Sequence, residues 1–81
     1  MKTEFVTMPV FRQLVESHGV QEFVILRQAG VYHLFAVNRE ARVAYYLKEA
    51  RGCIKTWEKL DLPANYLYSL GINFFSVRNQ Q

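Results

Sequence analysis

Four glycines, Gly19, Gly30, Gly52 and Gly71, divide this chain of 81 residues into short segments. Glycine ends helices and turns hairpins, so each is a natural break between elements. Before the first break, "TMPVFRQLVESHG" reads as a helix with Thr7 as N-cap, Pro9 in the first turn and Gly19 at the residue after the C-cap. Phe11, Leu14 and Val15 form its apolar stripe. "VQEFVILRQ" and "VYHLFAVN" then read as strands on either side of Ala29-Gly30, rich in β-branched and aromatic residues. "RVAYYLK" and "CIKTWEKL" make a second strand pair around "EARG". Asp61 offers an N-cap and Pro63 a first turn for a helix that runs to Leu70 and stops at Gly71, after which "INFFSVR" closes as a strand. The order α-β-β-β-β-α-β predicts a small α+β domain over residues 1–81, a mainly antiparallel sheet with two helices packed on it.

A chain of this size buries only about 60% of the surface its unfolded form exposes. The six Phe, five Tyr and single Trp supply much of what core there is. The net charge of +3, from ten Lys+Arg against seven Asp+Glu, permits an acidic partner without demanding one. A lone Cys53 has no partner for an internal disulfide and fits a reducing compartment. No apolar run approaches membrane-spanning length and the opening residues lack a signal-peptide block, so a cytoplasmic, membrane-free protein is expected.

Trp57 poses a register question. Residues paired across an antiparallel hairpin share a face. If the loop after Lys48 has an even number of residues, Arg42, Tyr46, Lys48, Lys55, Trp57 and Lys59 line one face, a basic surface interleaved with aromatics. Together with Arg51 at the turn, these are the candidate DNA-binding residues, suited to phosphate contact and stacking. Six of the ten basic residues lie between Arg39 and Lys59, although Glu40, Glu49 and Glu58 dilute the patch. If the loop is odd, Tyr45 faces Trp57, flanked by Val43 and Leu47, and the indole belongs to the core. Packing carries more weight in a chain so short of core material. Lysine and arginine on an exposed strand also guard against edge-to-edge pairing, which needs no ligand.

Chemistry requires a constellation, and the residues offer none. His18 and His33 stand at a helix end and in a strand, without cysteine or carboxylate at metal-ligand spacing. Ser17, Ser69 and Ser76 lack a nucleophile-elbow context, Cys53 at a strand start reads as inert, and the glycines are too far apart to cradle phosphate. No catalytic residue, metal or cofactor is expected. The aromatics speak more clearly. Tyr66 and Tyr68 are two apart on a helix, and Phe74 and Phe75 are adjacent on a strand, so one of each pair must reach a surface. Tyr66, Tyr68 and Phe74 are the candidate partner surface, for a second copy or another protein.

From Phe11 to Val77 the chain resembles the small ParC-type partition-associated proteins of conjugative plasmids and integrative elements. The resemblance rests on "FRQLVESHGVQEF" and on "LKEARGCIKTWEKLDLPANYLYSLGINFFSV". Within these it lies in the Arg51-Gly52 turn, the aromatic at Trp57, Lys59-Leu60-Asp61 entering the helix, Leu67, Leu70, Gly71-Ile72, Phe75 and Val77. It implies a non-catalytic accessory in the maintenance of a mobile element, with a ParA-type partition ATPase as a candidate partner. It carries over no active-site pattern. A DNA-binding module using the 39–59 hairpin is the alternative.

Overall fold

Residues 1–80 are described in a computed structural model of the chain. The elements are β1 (Lys2–Val6), α1 (Met8–Glu16), β2 (Glu22–Gln28), β3 (Val31–Asn38), β4 (Val43–Leu47), α2 (Asp61–Ser69) and β5 (Ser76–Asn79). They form an α+β domain around one five-stranded sheet in the order β1-β4-β3-β2-β5. β2, β3 and β4 pair antiparallel, as their alternation predicts, while the edge strands β1 and β5 lie parallel to β4 and β2. All the strands but β3 therefore run the same way.

Two interleaved crossovers build this sheet. β1–α1–β2 and β4–α2–β5 each return parallel after skipping two strands, and both step in the same direction. Crossovers of one hand then set both helices on one face. The core lies there: Phe11 of α1 and Ala64 and Leu67 of α2 pack on Phe23, Ile25, Leu34, Ala36 and Leu47. Phe11, Ile25, Leu34, Leu47 and Leu67 are fully buried, each contributing about 2–3 kcal/mol by removal of apolar surface from water.

Three strand expectations are corrected. β1 is a strand the composition hides, and "CIKTWEKL" is not one: residues 54–57 make only isolated bridges, Lys48 with Ile54 and Tyr32 with Trp57. The physical reason is occupancy. β4 is flanked by β1 and β3, so neither edge is left for a returning hairpin strand. The segment instead turns away at Glu49–Cys53 and settles beside the part of β3 that extends past the end of β4. The last strand is also shorter than "INFFSVR" suggests, because Ile72 is drawn into the core and regular pairing begins at Ser76.

Local chemistry sets the helix ends. Thr7 is the extended N-cap of α1 and Pro9 lies in its first turn, as expected. The helix closes through paired bonds, His18 N–H to the Val15 carbonyl at 3.1 Å and Gly19 N–H to the Leu14 carbonyl at 2.8 Å. His18, with φ 58°, takes the left-handed position predicted for Gly19. α2 closes in the same way, with Gly71 N–H on the Tyr68 carbonyl and Ile72 N–H on the Leu67 carbonyl, both at 3.0 Å. Here glycine does occupy the left-handed position, at φ 82°. Asp61 is not the cap of α2. Leu60 is, and Asp61 opens the first turn, where its charge complements the helix dipole.

Candidate functional site

The loop between Lys48 and its bridge partner Ile54 holds five residues, the odd case, and Trp57 turns toward the helices. The indole is half-buried against the core cluster beside Tyr32 and Tyr45. Tyr46 points to the other face of the sheet, away from its neighbours Tyr45 and Leu47, which join the cluster. The candidate DNA-binding residues are therefore dispersed. Lys55 lies over the Trp57 ring at 5.5 Å and pairs with Glu49 at 3.8 Å. Arg51 is exposed at the loop tip, Lys59 is exposed just before α2, and Arg42 sits at φ 57° in the turn entering β4. Lys48 alone stays on the Tyr46 side of its strand, two residues further along.

The candidate partner residues divide as well. Tyr66 is half-buried against Phe11, with ring centroids 6.1 Å apart, and faces the groove between α1 and α2 beside Arg12. Burial raises its pKa above the ordinary 10.0, and the Arg12 charge partly offsets that. Tyr68 and Phe74 do reach solvent, at 54% and 64% exposure. Tyr68 leans on Phe75 at 6.0 Å and Phe74 on Phe23 at 6.3 Å, so both rings are anchored to the fold while presenting apolar surface. Val77 of β5, two residues beyond Phe75, is also exposed, and among the described residues β5 pairs only with β2.

The face opposite the helices holds a row that the residue pattern did not single out. Register sets Phe5, Tyr46 and Phe35 level with one another on β1, β4 and β3. The Phe35 and Tyr46 rings stack at 4.7 Å and 24°, and Phe5 meets Tyr46 at 5.9 Å. Val24, Val37 and Ala44 lie beneath and beside them, buried yet outside the core cluster. Half-burial raises the Tyr46 pKa above 10.0 by desolvation. At the β2–β5 side Glu22 lies between two arginines, 3.1 Å from Arg39 and 3.4 Å from Arg78. His33 is on the same face opposite Leu26, and its Nδ1 is enclosed without a hydrogen-bond partner. Phe35 and Tyr46 were visible as alternating strand residues, but their neighbour Phe5 required β1 to be recognised first.

Among the described residues, no helix is long and apolar enough to cross a membrane. Neither a family model, nor a curated protein, nor a solved structure matches the chain.

Proposed function

We propose that this protein is a non-catalytic interaction module acting in the cytoplasm, docking a protein partner or a second copy of itself along the α2–β5 flank. The observation that carries the reading is the exposure of Tyr68, Phe74 and Val77 beside an edge strand with one side unpaired. Exposed apolar side chains anchored next to a free strand edge suit docking by strand addition, in which backbone bonds give affinity and flanking side chains give specificity. The resemblance to partition-associated proteins supplies the biological setting, the maintenance of a plasmid or integrative element, with its ParA-type ATPase as the candidate partner. Tyr66 belongs to the helix–helix groove and is left out of this surface.

The test is sedimentation of the purified chain, alone and with a ParA-type partition ATPase. Self-association or complex formation that Phe74→Glu and Val77→Glu abolish, with the fold retained, is the expected result. A chain that stays monomeric and fails to bind the ATPase ends the reading.

A further inference from the structure

We propose that the sheet face opposite the helices binds single-stranded nucleic acid, with bases stacking at Phe5, Tyr46 and Phe35 and phosphates held by Lys48, Arg39 and Arg78. This surface meets the α2–β5 flank at Arg78 of β5, but its aromatic row lies on β1, β4 and β3, so the proposal does not rest on docking at that flank.

Three observations lead to it. First, the aromatic row crosses three adjacent strands, β1, β4 and β3, so its spacing is fixed by backbone pairing rather than by loop conformation. Aromatic rings on a sheet are the usual platform for unpaired bases, because every base has a π-face to offer. Second, the row is graded in accessibility. Phe35 and Tyr46 stack on each other and are half-buried, while Phe5 on the edge strand is 51% exposed and inclined at 40° to Tyr46. A base can lie against the Phe5 ring, or enter between Phe5 and Tyr46 if that edge ring swings aside. The Tyr46 hydroxyl would then be available to a base edge.

The third observation is charge. Arg39 and Arg78 share the one carboxylate of Glu22, and with Lys48 these four groups carry a net positive charge. A second copy placed on the same face would bring like charges together, which disfavours that occupant. A polyanion carrying flat, stackable bases satisfies both the rings and the cations. A duplex satisfies only the cations, since its bases are already stacked upon each other. Single strands are therefore the expected ligand, with deoxyribose or ribose as the open variable.

The experiment measures anisotropy of labelled oligothymidylate and oligouridylate of about 12 nucleotides, within the range one small domain covers, beside a duplex of equal length. Low and moderate salt are compared. Single-strand binding that weakens with salt and exceeds duplex binding is expected, and comparison of the two oligomers shows whether the sugar matters. Phe5→Ala removes a ring on an exposed edge, so its fold is retained and checked by circular dichroism. It should weaken binding about tenfold. Lys48→Ala should lessen the salt dependence. Trp57, on the helix side, should keep its emission throughout. Absence of binding at low salt, preference for duplex, or affinity indifferent to Phe5→Ala overturns the proposal. So does a dimer that forms without nucleic acid and is lost in Phe5→Ala, which would give the face to a second copy.

Discussion

Tyr32 and Trp57 exchange a pair of backbone hydrogen bonds, Tyr32 N–H to the Trp57 carbonyl at 2.7 Å and Trp57 N–H to the Tyr32 carbonyl at 3.0 Å. This closed pair joins residues 54–57 to the sheet where β4 has ended, and it turns the indole onto the core. Trp57 is thus a packing joint between the sheet and the approach to α2. Trp57→Ala should cost about 2 kcal/mol, less than a fully buried tryptophan because the ring is only half-buried. In a domain of this size that lowers Tm by about 10 °C, measurable by thermal melting followed at far-ultraviolet wavelengths. Trp57→Phe should recover most of the loss. An unchanged melting point in the alanine variant would mean that the indole packs nothing.

The end of α1 offers a stabilising change. His18 adopts φ 58°, where a side chain costs about 1 kcal/mol, while the following Gly19 has no positive φ to require it. A Cβ at Gly19 would meet Leu14 at 3.4 Å, an ordinary contact. His18→Gly should raise stability by about 0.5–1 kcal/mol, part of the gain being offset by the freer unfolded chain. Gly19→Ala should be near neutral. Urea denaturation of the two single variants checks this, and a destabilised His18→Gly would point to an unrecognised use of the imidazole.

This displacement by one residue shows what local pattern can and cannot convey. The helices, the Ala29-Gly30 turn and the β2–β3 pair were legible because their signals lie within a few neighbouring residues. Prolines, glycines and strict alternation mark them. Ala29 and Gly30 both take positive φ, the backbone of a two-residue hairpin turn. β1 was not legible, since it is five residues long, carries Lys2 and Glu4, and pairs parallel with a strand far along the chain. β1 fills the outer edge of β4, so residues 53–60 cannot add there as the hairpin strand that their residue pattern predicts. The aromatic row is hidden along with β1, since its three members come from three segments. Their meeting depends on sheet order, which no short-range signal encodes.

Alkaline stability should follow Tyr46 and Tyr66. Both pKa values lie above 10.0 in the folded state because burial disfavours the phenolate, with Arg12 opposing the shift at Tyr66. A raised folded pKa means that the unfolded chain releases the proton first. Their contribution is therefore fully present below pH 10.0 and is lost as pH rises through the folded values. Denaturation midpoints of the wild type should fall above that pH. The Tyr46→Phe, Tyr66→Phe double variant should show a shallower fall, and an identical slope would place both hydroxyls effectively in water.

The attachment of β5 is the final point. Its four residues are all exposed and, among the described residues, it pairs only with β2, so backbone pairing alone gives it little protection. Glu22 adds a side-chain tie, accepting from Arg78 of β5 at 3.4 Å and from Arg39 beyond β3 at 3.1 Å. The arginines are more than half exposed, which limits the tie to about 0.5–1 kcal/mol and makes it sensitive to salt. Glu22→Gln should change global stability by no more than that amount. Its effect should concentrate on β5, where hydrogen exchange of the Arg78 and Gln80 amides, which face β2 in this register, should accelerate several-fold while the amides of β3 remain as slow as before. Moderate salt should produce a smaller shift of the same kind in the wild type. Uniform acceleration across the sheet would instead make Glu22 a support of the whole fold, and unchanged exchange in β5 would show that the β2 ladder holds this strand unaided.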